Sequence, residues 1–322
     1  MFDIKGAGGL TPVNGLDLPV VTAAALLVKE KAMKKFTLKD VLASAAKWEV
    51  PEKRENKKPV RTNPVKKEET NQNSEQKEPI KDYKVEFKKT FNSMAPYKHR
   101  FQVWEDFIVL SACSLSNRVD GIHYAEREKM YIDRIKTYKK EDVNKFADLL
   151  ALLWLEITKN PRQDVLGELF MVMDFGDNTK GQVFTPYSVC QLMAMLTGGD
   201  VKKIIDEKGY VGVCDECCGS GALLIAKCWN IADELKNEHI IWQNHTLVVG
   251  QDIDMIAGLM AYIQLSIIGA AGYIKIGNSL TDPIKTGDKL DNYWFMPMFF
   301  NDVWRMRVTF HKADELLKEK PV

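Results

Sequence analysis

The sequence predicts an α/β protein in which an open parallel sheet is preceded by a helical lobe. Two strand–turn–helix units follow one another, "YVGVCDECCGSGALLIAKCWNIADEL" from Tyr210 and "HTLVVGQDIDMIAGLMAYIQLSIIG" from His245. "YIKIGNSL" from Tyr273 then reads as a third strand and its loop. Strands alternating with helices of this length build parallel sheets. Upstream, from about residue 95 to 175, the apolar period is helical throughout.

Composition excludes several classes. The 322 residues carry a formal net charge of +1, with 45% hydrophobic and 28% charged residues, as in an ordinary soluble domain. No global basic field exists, so any nucleic-acid contact needs a local patch or a partner. Six cysteines are too few for a disulfide scaffold and are expected as reduced thiols. The apolar run from Leu18 to Val28 follows Asp3, Lys5 and Asp17 rather than a basic start. No stretch reaches the about 18 apolar residues of a membrane span. A cytoplasmic protein without a membrane segment is expected.

Four regions follow in order. Residues 1–50 open on "KGAGGLTPVNG" and give a small helical segment, with Thr37 placed to cap its second helix. Residues 51–82 hold four prolines and almost no apolar side chains, which predicts a disordered charged linker. A nucleic-acid-binding tail is the sharper reading of its lysines, but acids are interleaved throughout. Residues 83–175 form the helical lobe, with Phe101, Trp104, Phe107, Ile108 and Leu115 on one apolar face. Val143, Phe146, Leu149, Leu150 and Leu153 form a second face, in a helix that stops before Pro161. Residues 176–322 hold the sheet units.

The stretch "VCDECCGSGALLIA" from Val213 admits two chemistries. Cys214, Cys217 and Cys218 supply one Cys-x-x-Cys step, whereas a structural zinc site takes four ligands, usually as two paired steps. No second pair follows at such spacing, so no metal is expected, and small thiols packed at a strand end are the plainer account. The glycines have context. A strand ending in Asp215, the turn "CCGSG" and a helix from about Ala222 fit a nucleotide-type turn, where Gly219 and Gly221 let backbone approach a ligand. The next strand ends in "VVGQDID", and a carboxylate there is placed to meet a ribose diol. Asp252 is the first candidate and Asp254 the second; alternatively, Asp252 only caps the helix starting near Met255.

"KGQVFTPYSVCQLMAML", "CDECCGSGALLIA", "GQDIDMIAGLMAYIQLSIIG" and "GNSL", in that order, resemble the adenine-N6 DNA methyltransferases. The likeness is to the methyltransferase subunit of type I restriction-modification systems and its stand-alone relatives. It covers about residues 164–280, including the helix "DVLGELF". It implies a Rossmann-like, S-adenosylmethionine-dependent methyltransferase sheet. It also implies roles for particular residues. Phe184, Thr185 and Pro186 match the segment that folds over the methionine part of S-adenosylmethionine. Asp215, Gly219, Ser220 and Gly221 match the loop beneath the cofactor's amino-acid moiety, Asp252 matches the ribose-binding acid, and Asn278 stands where the cofactor's adenine is contacted. Cys218 then belongs to the family pattern rather than to a metal site.

Two departures accompany the likeness. The family's Asn/Asp-Pro-Pro-Tyr/Phe motif holds a flipped adenine through an amide, a proline carbonyl and a stacked ring. Here "DKLDNYWFMPMFFNDVWRMR" offers only out-of-order candidates, Asn292, Tyr293 and Pro297, with Phe295 and Phe299 nearby. Their order favours a buried aromatic strand and turn, although Trp294, Phe295, Phe299, Phe300 and Trp304 beside Arg305 and Arg307 would suit base stacking or a partner surface. The sheet is also shortened, with about four strands against the family's seven. The resemblance therefore implies an adenine-N6 DNA methyltransferase-like protein that acts on DNA with a specificity partner. The alternative is a catalytically inactive binding protein of a phage or mobile element, acting on nucleic acid or a host defence complex. A methyltransferase for a small molecule or protein is a third reading.

Overall fold

The structure is a computed structural model describing residues 82–173, 184–285 and 287–318, with side chains as far as Phe310. The N-terminal helical segment, the linker up to residue 81 and Lys180–Val183 of the first motif lie outside these residues. Five helices come first: α1 (Tyr83–Ser93), α2 (Arg100–Ser116), α3 (Tyr124–Ile135), α4 (Lys140–Lys159) and α5 (Val165–Val172). Asp82, at the end of the charged stretch, caps α1 by accepting from Val85 N–H at 3.1 Å. Then come α6 (Tyr187–Leu196), α7 (Val201–Lys208), β1 (Val211–Asp215), α8 (Ala222–Leu235), β2 (Thr246–Asp252), α9 (Met255–Ile267) and β3 (Ala271–Ile276). β4 (Tyr293–Phe295), a 3-10 turn (Pro297–Phe300) and α10 (Asp302–Lys318) complete the described residues.

The strands lie in the order β1-β2-β3-β4. The first three are parallel, with Asp215 level with Gly250 and Asp252 level with Ile276, while β4 runs antiparallel to β3. This is a Rossmann-like α/β arrangement in which both crossover helices sit on one face. Gly250 and Gly258 fix how closely they sit. A Cβ on Gly250 would meet Ile274 Cδ1 at 2.6 Å and Leu224 of α8 at 3.2 Å, and one on Gly258 would meet Ile276 Cδ1 at 2.5 Å. The other face carries aromatic rings, with Tyr273 in edge contact with Phe295 and Phe299.

The helical lobe shares its core with the sheet. Phe87, Phe91, Trp104 and Phe107 interlock as ring pairs, and the cluster runs on through Leu259 and Met260 of α9 to Val248 and Ile274. A buried polar latch joins the same parts. Arg127 of α3 donates to Asp120 at 2.7 Å and to the Tyr293 carbonyl at 2.6 Å, with its guanidinium 4.0 Å from the Trp294 ring centroid. His123 Nδ1 lies 2.7 Å from Asp120 and its Nε2 lies 2.9 Å from the Leu290 carbonyl. Burial would raise the Asp120 carboxyl, but the His123 bond and the Arg127 charge hold it below its usual value.

Candidate functional site

Parallel register brings the C-terminal ends of β1, β2 and β3 to one edge, the position where open α/β sheets bind ligands. The loop after β1 is shaped by two residues in the left-handed region, Gly219 at φ 53° and Gly221 at φ 90°. A Cβ on Gly221 would meet Ala261 Cβ at 2.9 Å, so α8 starts in close contact with α9. A Cβ on Gly219 would lie 3.3 Å from the Phe184 ring, which places Phe184 over the loop and in edge contact with Phe170 at 5.3 Å. Thr185 and Pro186, next in the chain, are exposed, and Pro186 is the residue from which α6 begins.

Asp252 joins the strands at this edge. Its Oδ2 accepts the Gly219 amide at 2.7 Å and its Oδ1 accepts the Asp254 amide at 2.9 Å. The cap of α9 is Asp254, which accepts from Ile256 and Ala257. The alternative in which Asp252 caps that helix therefore does not hold, since Asp254 Oδ1 makes the cap. Each Asp252 oxygen keeps lone-pair capacity after its one backbone bond. Asp215 accepts the Cys217 amide at 3.1 Å, and burial, helped by the Asp252 and Glu216 charges, raises its carboxyl above the usual range. No ion pair reaches either carboxylate among the described residues.

Ser220 faces inward. Its hydroxyl donates to Asp164, the N-cap of α5, while its carbonyl accepts from Gln264 Nε2 at 2.9 Å. Gln264 also donates to Asp164 at 2.8 Å and accepts from Leu166 N–H at 3.1 Å. Only the backbone N–H of Ser220 thus remains for a ligand. Burial raises the Asp164 carboxyl, against the bonds from Ser220, Gln264 and Gly167.

Asn278 bends the loop after β3, its Oδ1 accepting from Leu280 N–H at 2.9 Å, which leaves the Nδ2 donors. Cys217 Sγ lies 3.9 Å from Ser279 Oγ, so the loops after β1 and β3 meet at one rim. Two apolar side chains that sequence reasoning passed over stand open here, Ile253 at 69% and Leu280 at 91% exposure. Cys218 packs below, buried, its sulfur 3.1 Å from where a Gly250 Cβ would be, and burial pushes its thiol well up. No cluster of three or more metal-ligating side chains occurs among the described residues.

Of the acceptor-side candidates, Asn292 lies beside the end of β3, whereas Tyr293 and Pro297 are buried. Asn292 is exposed and its carbonyl accepts from Ile276 N–H at 2.9 Å. Tyr293 is fully buried, its hydroxyl donating to Asp288 at 2.6 Å, and Pro297 is buried at the start of the 3-10 turn. Lys275, also buried, lies 2.8 Å from Asp288. The Lys275 and Tyr293 bonds hold the Asp288 carboxyl down at about 2. Trp294, Phe295 and Trp304 are buried too, so these rings are core rather than an open stacking platform. Trp304 donates to the Gln243 carbonyl at 2.9 Å and Arg307 donates to the Asn244 carbonyl.

Residues 162–320, which span the loop, all three parallel strands and the aromatic segment, match the family model described as N-6 DNA Methylase. Over that region the chain belongs to the N-6 DNA methylase family. Two solved structures are similar in part. One is described as a class I S-adenosylmethionine-dependent methyltransferase from Listeria monocytogenes, 18% identical over 55% of this chain and 54% of that one, with a TM-score of 0.30. The other is the type I restriction-modification system methyltransferase subunit from Streptococcus thermophilus, 17% identical over 59% of this chain and 42% of that one, with a TM-score of 0.33. The chain thus spans about half the length of these structures. No curated protein matches it. No described helix is long and apolar enough to cross a membrane.

Proposed function

We propose that this N-6 DNA methylase chain binds S-adenosylmethionine at the β1–β2–β3 edge and serves methyl transfer to adenine N6 in DNA, with a partner supplying DNA recognition. One observation carries the reading. Two carboxylates without ion pairs, Asp215 and Asp252, flank a loop whose glycines adopt positive φ, under the Phe184 ring. Such a site suits a cationic ligand with an amino-acid end and a ribose diol. Asp215 would face the ammonium, the spare lone pairs of Asp252 the ribose hydroxyls, and the backbone of Gly219–Gly221 the carboxylate. Ile253 and Leu280 would flank the adenine ring, with Asn278 Nδ2 donating to its edge. Phe184, Thr185 and Pro186 would cover the methionine part. The bound cofactor would supply an electrophilic methyl group, and the chain's part is to orient it and exclude water around it.

Domain organisation is read in the same way. Residues 83–175 are read as a helical lobe and 176–322 as the cofactor domain, while the proposed segments 1–50 and 51–81 lie outside the described residues.

A second reading, a binding protein without turnover, is favoured by the burial of Tyr293, which cannot stack on a flipped base while its hydroxyl is held by Asp288. Retention of labelled S-adenosylmethionine, competed by S-adenosylhomocysteine, tests the site, and no retention by the folded chain overturns it. Label recovered at adenine N6 of a mixed DNA pool supports turnover. Retention without transfer, even with a DNA-binding partner added, supports the second reading.

A further inference from the structure

α5 of the helical lobe meets the loop after β1 at two places. The first is Ser220, which is held at both of its polar ends. Asp164 Oδ2 accepts from its hydroxyl, and Gln264 Nε2 donates to its carbonyl at 2.9 Å. The same two side chains hold the first turn of α5. Asp164 Oδ1 accepts from Gly167 N–H at 2.9 Å and from Gln264 at 2.8 Å, and Gln264 Oε1 accepts from Leu166 N–H at 3.1 Å. The second place is Gly219, which lies against Phe184, the ring in edge contact with Phe170 of α5.

Capping alone does not account for this. An N-cap needs one acceptor for one helix amide, and Asp164 gives its remaining capacity to groups from two other elements. Gly167 brings α5 close enough to do so, since a Cβ there would collide with the Asp164 carboxylate and lie 2.8 Å from Ser220 Oγ. Asp164 is 7% exposed, and Ser220 and Gln264 are 1% each, so their side chains can act on a ligand only through the loop. α5 is itself fixed by the lobe. Leu166, Leu169 and Phe170 are buried, and the Phe170 ring centroid lies 6.1 Å from that of Trp104 in α2.

We propose that Asp164, Gln264 and Phe170 are positioning residues for the cofactor loop, through which the helical lobe sets how tightly that loop takes its ligand. The proposal rests on the reading of this loop as the S-adenosylmethionine site. A loop held in its bound shape loses little entropy when the ligand arrives. Freed from α5, the loop would have to be ordered by the ligand, and affinity would fall by that cost.

Two measurements test it, and only one needs the cofactor. Cys218, Gly219 and Gly221 donate their amides to Gln251, Asp252 and Cys218, so the loop has protected hydrogens to follow. In the unliganded chain, Ser220→Ala is expected to speed their exchange about three- to thirtyfold, with β3 amides at wild-type rates. Titration with S-adenosylmethionine, at a temperature where circular dichroism shows each variant folded, is the second measurement. Asp164→Ala and Ser220→Ala are each expected to bind about three- to thirtyfold more weakly. The double variant is expected to bind no more weakly than the worse single one, because both remove the same link. Asp164→Asn, which keeps an acceptor and can donate to Ser220, is expected to bind within about twofold of wild type. A loss of global stability alone would not reproduce that pattern. Wild-type affinity in folded Ser220→Ala, or loop exchange unchanged by it, overturns the proposal. A folded wild-type chain that binds no cofactor contradicts the cofactor reading instead, and the exchange rates then decide whether α5 holds the loop.

Discussion

Asp252 accepts the Gly219 amide at 2.7 Å, so the carboxylate that ends β2 also fixes the glycine loop that follows β1. The proposed binding and the loop geometry thus share one side chain. Asp252→Ala is expected to lower unfolding free energy by about 1–3 kcal/mol, because two amides lose a charged acceptor. Asp252→Asn keeps one acceptor oxygen and is expected to lose less. Urea unfolding of the three proteins checks this, and equal midpoints would separate the carboxylate from the loop.

Gly221 sits at φ 90° with Ala261 Cβ 2.9 Å from where its own Cβ would be. Gly221→Ala combines left-handed strain with a backbone clash, and about 1–3 kcal/mol of destabilisation is expected. Thermal unfolding reads it directly, and an unchanged Tm would show that the loop adopts another conformation.

Asp164 is buried among neutral donors, which raises its carboxyl. A raised folded value favours the protonated acid, so its contribution to stability is full below the ordinary aspartate value of about 3.9. That contribution is lost as pH rises through the raised folded value. Asp164→Asn retains an acceptor for Gly167 and Gln264 and can donate to Ser220. Its Tm relative to wild type is therefore expected to climb between acid and neutral pH. A difference that is flat with pH would mean the carboxyl titrates normally.

Tyr293 is core, its hydroxyl bound to Asp288 beside Lys275. Tyr293→Phe removes one bond to a charged group, and about 1–3 kcal/mol of stability is expected to go with it. Cofactor affinity is expected to stay unchanged, as titration of the variant would show. A large loss of affinity at full stability would place Tyr293 in the site after all.

Much of this was legible in the sequence because short-range pattern determines it. β1, β2 and β3 end at Asp215, Asp252 and Ile276 as their apolar runs imply, and α2 and α4 follow their helical periods. The split of roles between Asp252 and Asp254 was not legible, since both sit at a strand-to-helix turn and only the hydrogen bonds separate them. Asp164 and Gln264 were passed over because they meet Ser220 across long sequence separations, although Gln264 is one of few polar residues in an apolar helix. Ile253 and Leu280 escaped notice because an exposed apolar residue carries meaning only beside a site. The aromatic run from Tyr293 read better as a buried strand and turn than as a stacking surface, and Tyr293–Phe295 are buried and paired with β3.

Calorimetric titration of the full chain with S-adenosylmethionine, alongside Asp252→Ala, tests the central claim most directly. Saturable binding by the wild-type chain is expected, with at least about tenfold weaker binding by the variant, roughly 1.4 kcal/mol. Binding of equal strength in both proteins, or none by a folded wild-type chain, would contradict it.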